Sequence, residues 1–306
     1  MTVAVIGLGL IGGSLLRALD RAGVAACGYD ADPAVRREAA AGGFWVADSV
    51  AAARDADLVI LAVPLPALDA VSAELAGYDG LVSDVISVKL PVLTALGGRR
   101  FVGGHPMAGR ERSGFAAGDA ALFEGCAWVL CLEQDTDVAD WLRLATLVTG
   151  LGARAVPTSA AEHDAAVARI SHVPHLLAAS LAAAGGAPLP ASLAAGSFRD
   201  GTRVAGSDPA LMAAICGGNA GPVAAALDDV LADLTRARAL LDGPDPIAAL
   251  RDWFARGHEV RAAWPPSAGE HVVLPASRDA LLGLGAAGGW VTSVQDGTVA
   301  AVLPVR

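Results

Sequence analysis

Val3-Ala4-Val5-Ile6 runs directly into Gly7-Leu8-Gly9-Leu10-Ile11-Gly12 and then into Gly13-Ser14-Leu15-Leu16-Arg17-Ala18-Leu19. A β-branched run, a G-x-G-x-x-G turn and a helical stretch, in that order, predict a buried strand that folds back through a glycine loop into a helix. The first glycine permits the tight turn, the second lets the backbone approach a pyrophosphate, and the third lets helix and strand pack closely. The helix N-terminus then faces the phosphates. The next predicted strand, Ala25 to Asp30, ends in an acid about 20 residues further on, the spacing of a ribose-binding carboxylate. Such a carboxylate accepts from a 2′-hydroxyl and repels a 2′-phosphate, and Arg36 and Arg37 follow only a turn or more later. NAD is therefore the expected cofactor, held by Gly7, Gly9, Leu10, Ile11, Gly12 and Asp30. Asp57-Leu58-Val59-Ile60-Leu61-Ala62-Val63-Pro64 reads as a further buried strand, and its end adds Val63 and Pro64 to the expected cofactor lining.

Outward from this loop, short apolar runs alternate with alanine-rich helical stretches as far as residue 157. Strands are predicted at Val3 to Gly7, Ala25 to Asp30, Leu58 to Ala62, Leu81 to Asp84, Arg100 to Gly103, Ala127 to Cys131 and Ala153 to Val156. Alternation of this kind predicts an α/β, Rossmann-type doubly wound domain over 1–157, its seven strands in a sheet with additions. Pro157-Thr158-Ser159, with Glu162 in the first turn, starts a helical region with little strand signal to residue 266. Strand patterns return at His271 to Leu274, Trp290 to Val294 and Val299 to Leu303, with a helix at Ser277 to Leu284. The expected partition is an NAD-binding domain at 1–157, a helical domain at 158–266 and a small strand-containing tail at 267–306. So short a tail does not close a core alone, and it is expected to pack on the body or on a partner subunit.

The 306 residues carry a formal net charge of −10, with a pI near 5.0. That field repels polyanions, which argues against nucleic acid or an anionic membrane surface as partner. An anionic substrate must then meet a local basic cluster. The mean hydropathy of +0.50 raises the question of membrane spans. The richest stretches are interrupted: 59–75 holds Pro64, Pro66, Asp69 and Glu74, and 173–195 holds Pro174, Gly185, Gly186, Pro188 and Pro190. Neither offers the roughly 20 uninterrupted apolar residues of a span. Cys27, Cys126, Cys131 and Cys216 form no CxxC pair, so the expected setting is a reducing cytoplasm without a disulfide framework.

Three clusters carry titratable or nucleophilic groups: Asp84-Val85-Ile86-Ser87-Val88-Lys89, Gly103-Gly104-His105-Pro106-Met107-Ala108-Gly109-Arg110-Glu111-Arg112-Ser113-Gly114, and Ser171-His172-Val173-Pro174-His175. The first two fall at strand ends, where ligands bind in open α/β sheets. His105 sits between glycines and a proline, on a rigid turn rather than an apolar face, and an imidazole so placed suits a general base. A lone histidine is otherwise more often structural. Lys89 is the only lysine in the chain, which hints at a use for a compact charge or at nothing. Arg199 and Arg203 stand four apart, the spacing of one helix face, and offer two guanidinium groups for a carboxylate. Taken alone, a surface helix carrying an Arg–Asp pair with Asp200 is the better explanation.

Taken together and in this order, the GxGxxGGS start, the D-x-x-S-V-K strand end, the H-P-M-A-G loop, the S-H-x-P-H segment and F-R-D-x-T-R followed by Ser207-Asp208-Pro209 resemble the prephenate and arogenate dehydrogenases of tyrosine biosynthesis. The resemblance covers roughly residues 1 to 265. It implies NAD-dependent oxidative decarboxylation of prephenate, or alternatively of arogenate, without a metal. It further implies that His105 accepts the ring-hydroxyl proton and that Ser87 positions that hydroxyl or the nicotinamide. Arg203 would bind a substrate carboxylate, with Arg199, His175, Glu111 and Ser113 lining the pocket and the helical domain forming a homodimer. Met212 stands where tryptophan is common in the family, which puts an aromatic wall at that position in doubt. A β-hydroxyacid dehydrogenase would need a lysine in the helical domain, and none follows Lys89. A non-catalytic NAD-binding sensor would have no use for His105, Ser87 and Arg203 together.

Overall fold

A computed structural model describes residues 1–110 and 112–305. The chain divides into two compact units: Met1–Asp164 with His271–Leu303, and Ala165–Glu270 with the last residues from Pro304.

In the first unit β1 (Val3–Ile6), β2 (Ala26–Tyr29), β3 (Leu58–Leu61), β4 (Leu81–Asp84) and β5 (Phe101–Val102) form a parallel sheet in the order β2-β1-β3-β4-β5. β1, β3 and β4 are buried at every residue, as expected of strands covered on both faces, which is why they read as continuous apolar runs rather than alternating ones. Beyond β2, Val46 makes a parallel bridge to Gly28, so a rudimentary strand extends the sheet on that side. Counting it, the order is that of a doubly wound dinucleotide fold, with the switch point between β1 and β3.

The seven predicted strands do not share one sheet. β6 (Gly104–Pro106), β7 (Ala127–Cys131), β8 (Arg154–Thr158), β9 (Ala268–Pro275), β10 (Trp290–Gln295) and β11 (Thr298–Pro304) form a second, mixed sheet in the order β6-β7-β8-β10-β11-β9. The break falls at Gly103-Gly104. A Cβ on Gly104 would lie 2.5 Å from the Asp84 carbonyl oxygen, and the Gly104 N–H donates to Asp84 Oδ1 at 3.0 Å. That close approach turns the chain out of the first sheet and into antiparallel pairing with β7, His105 opposite Val129. The doubly wound class stands, with its later strands diverted.

The tail is not a separate body. β10 pairs with β8 at Val291 and Ala155, and helix Arg278–Ala286 packs on β8. At Gly285 the missing side chain leaves room for the Pro157 carbonyl, which a Cβ would meet at 1.7 Å. The Arg278 guanidinium donates to the carbonyls of Glu133 and Thr136. Leu281, Leu284, Val291, Val299 and Ala301 join the same core as Leu15, Trp128 and Trp141. Some 30 residues too few to close a core alone thus bury their apolar side chains by completing a sheet that residues 104–158 leave open.

The second unit is helical. The helical run that enters it starts within the first unit, where Ser159 and Glu162 form a capping box, Ser159 Oγ accepting from the Glu162 N–H at 3.2 Å while Glu162 Oε2 accepts from the Ser159 N–H at 3.3 Å, so it begins where the sequence predicts. Ala160–Val167, a π-helical turn Ala168–His172 and Val173–Ala184 follow one another; Pro188–Leu193, Gly196–Thr202, Pro209–Gly218, Ala220–Leu240 and Pro246–Ala262 complete the series. The buried core of this unit is small, comprising Ala168, Val173, Val223 and Ala226. Ile247, Val260 and Leu193 are 84%, 74% and 73% exposed, far more apolar surface than a finished monomeric domain shows. No single helix among the described residues is long and apolar enough to cross a membrane.

Candidate active site

The glycine loop has the geometry its spacing predicts. Gly7 has φ +95°, and a Cβ there would lie 2.4 Å from the Ala62 carbonyl oxygen, so the turn out of β1 admits only glycine. A Cβ on Gly12 would meet the Gly7 carbonyl at 1.8 Å, which is the close helix–strand approach expected of the third glycine. At Gly9, by contrast, nothing lies within 4 Å. The open space above Gly9, at the start of helix Leu10–Arg21, is a cradle suited to a pyrophosphate. Leu10 and Ile11 are half-buried beside it. Val63 and Pro64 leave β3 next to this loop, Val63 within 3.1 Å of the Gly7 Cβ position.

Asp30 follows directly on β2, and both of its oxygens are held by backbone: Oδ2 accepts from the Leu8 N–H at 2.7 Å, Oδ1 from the Asp32 N–H at 2.9 Å. The carboxylate thus ties the glycine loop to the end of β2. Arg36, which could have favoured a 2′-phosphate, instead donates to the Asp30 and Ala31 carbonyls.

His105 lies not on a turn but in β6, half-buried, at the edge of the second sheet. Three residues bounded by glycine and a following loop carry no alternation that a sequence reading could detect, and Pro106 is tolerated because β6 is an edge. Its Nδ1 stands 2.9 Å from His163 Nε2, and His163 Nδ1 stands 2.8 Å from Asp164 Oδ1. His163 and Asp164 are 2% and 0% exposed. Neither was singled out in the sequence. The pair sits in a helix just after a capping box, and only the fold brings it to a histidine 58 positions earlier.

Asp164 is a node. Its Oδ1 accepts from the Lys89 N–H and its Oδ2 from the Leu90 N–H, both at 2.8 Å, so it caps helix Leu90–Leu96. Burial pushes the Asp164 carboxyl up, but the His163 ring and those two N–H groups outweigh it and hold the group below its ordinary range. Lys89, 1% exposed, pairs with Asp84 and donates to the Gly104 carbonyl at 2.7 Å. Complete burial pushes Asp84 up, against the pull of the Lys89 ammonium and of the Gly104 and Ile86 N–H groups. The single lysine is thus neither a ligand nor an accident of composition. It locks the end of β4 to the residue beside His105.

Ser87, half-buried, lies on the loop between Asp84 and Lys89 and is carried by the same lock. Ser113 is exposed in the loop beyond β6, and Glu111 lies outside the described residues. The other expected substrate residues belong to the helical unit. There the helix bearing His175, Val173–Ala184, packs on helix Gly196–Thr202 and on the turn Arg203–Gly206, which brings together the elements of His175, Arg199 and Arg203. The helix ends at Thr202, so the two arginines straddle a helix end rather than share one regular face. His172, 2% exposed, lies against buried Asn219, its Nδ1 3.2 Å from the Asn219 amide nitrogen.

Comparison with known proteins follows the two halves of this architecture. Residues 15–157 match the family model described as prephenate dehydrogenase, nucleotide-binding domain, and residues 159–255 match prephenate dehydrogenase, dimerization domain. The chain is 34% identical over 285 residues to a prephenate dehydrogenase of Bacillus subtilis, covering 86% of this chain and 76% of that protein. Among solved structures it is similar to the A. aeolicus prephenate dehydrogenase in complex with hydroxyphenyl propionate and NAD+ (TM-score 0.76, 28% identity, 86% of this chain and 96% of that one). It is similar also to the Synechocystis arogenate dehydrogenase (TM-score 0.74, 28% identity, 86% and 100%).

Proposed function

The chain belongs to the prephenate dehydrogenase family, and from that premise we propose that it carries out the NAD-dependent oxidative decarboxylation of prephenate to 4-hydroxyphenylpyruvate, a step toward tyrosine. The observation that carries the reading is a dinucleotide cradle, Gly7 to Gly12, in the same compact unit as a histidine, His105, whose inner nitrogen is held by a buried His163–Asp164 pair.

NAD, when bound, supplies the hydride acceptor; Gly7, Gly9, Leu10, Ile11, Gly12, Asp30, Val63 and Pro64 hold it. His105 takes the proton of the ring hydroxyl as that carbon is oxidised, which avoids a bare oxocarbenium. Ser87, on the segment locked to Gly104, orients the hydroxyl or the nicotinamide. The substrate is a dianion in a protein of net charge −10, so its carboxylates need a local fork of cations. Arg203, with Arg199, fills that role, and His175, Ser113 and Glu111 line the rest. Loss of carbon dioxide makes the ring aromatic, so the protein has chiefly to position the groups and supply one base.

Arogenate is the second reading, favoured by the likeness to an arogenate dehydrogenase over the whole length of that structure. An ammonium in place of the keto group would ask for an acidic partner, Glu111 or Asp200. The enzyme acts as a homodimer through its helical unit, whose exposed Ile247, Phe254 and Val260 call for a partner surface. Four free cysteines fit a cytoplasmic setting.

The test is NADH formation by purified protein with prephenate and with arogenate, each under NAD and NADP. Turnover of prephenate with NAD is expected. Turnover of arogenate alone would move the assignment to the second reading, and none in any combination would overturn both.

A further inference from the structure

We propose that Asp164 and His163 are positioning residues that fix the tautomer of His105, protonating its Nδ1 and leaving Nε2 as the bare nitrogen that meets the substrate. The proposal rests on the reading of His105 as the base.

The geometry is read from the buried end outward. Asp164 accepts backbone N–H groups at both oxygens, from Lys89 and Leu90, and a carboxylate so engaged has no proton to give. The His163 nitrogen at 2.8 Å from Oδ1, Nδ1, must therefore be the donor. An imidazole that is neutral and carries its proton on Nδ1 presents a lone pair at Nε2. His105 Nδ1 faces that lone pair at 2.9 Å, and two lone pairs at this distance would repel, so His105 donates. The proton of a neutral His105 then sits on Nδ1, and Nε2 carries the lone pair. The logic is that of any histidine whose reactive nitrogen is chosen by the bond the other one makes.

The surroundings keep this chain of bonds from rearranging. Asp164 cannot rotate without releasing two helix-capping N–H groups. His163 is 2% exposed, and its ring meets that of His105 edge to face, the centroids 5.1 Å apart and the planes at 73°. β6 is held beside the pair by Lys89 on the Gly104 carbonyl and Asp84 on the Gly104 N–H. When His105 takes up the hydroxyl proton at Nε2, its Nδ1–H stays on His163, so the base is charged without breaking a bond on its inner side. A reversed tautomer would present an N–H to a hydroxyl that must lose its proton; in serine proteases such a reversal lowers kcat by about 10⁴-fold.

The experiment is a long-range ¹H–¹⁵N correlation spectrum of full-length protein labelled with ¹⁵N-histidine, its six histidines assigned by comparison with H105N and H163Q. In the wild type, neutral His105 is expected to show a protonated Nδ1 and a bare Nε2. A dominant Nε2–H form would overturn the proposal. In parallel, H163Q, whose amide oxygen can still accept from His105 Nδ1, should keep kcat within about tenfold of wild type, while H163L should lower it by about 10²–10⁴-fold at unchanged KM for NAD. Equal kcat values for H163Q and H163L would also overturn it. The two readings separate cleanly. Full activity in H105N removes the base, whereas an inactive H105N with an Nε2–H tautomer in the wild type removes only the relay.

Discussion

His163 Nε2 lies 2.9 Å from His105 Nδ1, and the second histidine is itself anchored to a fully buried Asp164. One nitrogen of His105 is therefore committed to the protein interior, and in the proposed reaction the substrate proton would be taken up at the other. Replacing His105 by Asn keeps a hydrogen-bonding group of similar reach but removes the proton acceptor. We expect kcat to fall by about 10²–10⁴-fold, with the affinity for NAD, measured by fluorescence titration, unchanged. An undiminished kcat would take His105 out of the base role.

Arg203 opens the turn after helix Gly196–Thr202, and its guanidinium is the proposed holder of a substrate carboxylate. A charge-assisted hydrogen bond contributes about 1.5–3 kcal/mol, so R203Q should raise KM for prephenate by about 10- to 100-fold with a smaller change in kcat. Steady-state kinetics at fixed NAD measure this; an unaltered KM would place the carboxylate elsewhere.

Lys89 and Asp84 are buried partners, at 1% and 0% exposure. Removing the cation leaves a buried acid facing Gly104 and Ile86 alone. K89M should cost about 3–5 kcal/mol of stability, seen as a lower urea midpoint, although a lysine on the surface would cost almost nothing. Near-wild-type stability would show that the pair is not the lock between β4 and β6.

Asp164 gives the protein an acid-side dependence whose sign follows from its depressed carboxyl. The folded value lies below the ordinary 3.8, so the folded state binds this proton less well than the unfolded chain does. The contribution is complete above about pH 4 and is lost as pH falls through the folded value. Unfolding free energy measured from pH 6 to pH 2 should therefore drop below pH 4, and D164N should flatten that drop while lowering stability at pH 6. A D164N profile parallel to wild type would assign the acid sensitivity to other carboxylates.

Phe254 is 62% exposed on helix Pro246–Ala262, on the unit proposed to pair two subunits. F254D puts a charge into that surface and should convert a dimer to monomers in light scattering behind gel filtration. The nucleotide-binding unit of the variant should stay folded, so near-UV circular dichroism from its buried Trp128 and Trp141 should persist. A dimer that survives the substitution would move the interface off this helix.

What was legible from the sequence alone was whatever depends on neighbours along the chain. The glycine loop could be read because its spacing is local, Gly7 turning at φ +95° and Gly12 lying against the Gly7 carbonyl, and the capping box because Ser159 and Glu162 meet within one helical turn. The strand positions, the second helical region and the strands of the tail followed from periodicity in the same way. Tertiary structure alone decided the rest. It divided the strands between two sheets at Gly104, because the constraint there is an approach to Asp84, 20 positions earlier. It took the tail into the second sheet, because that sheet's open edge is made by residues more than a hundred positions away. And it gave His105 its partner, since no spacing relates residue 105 to residue 163; only folding sets the two rings side by side, in a buried site where an unpaired nitrogen would be costly.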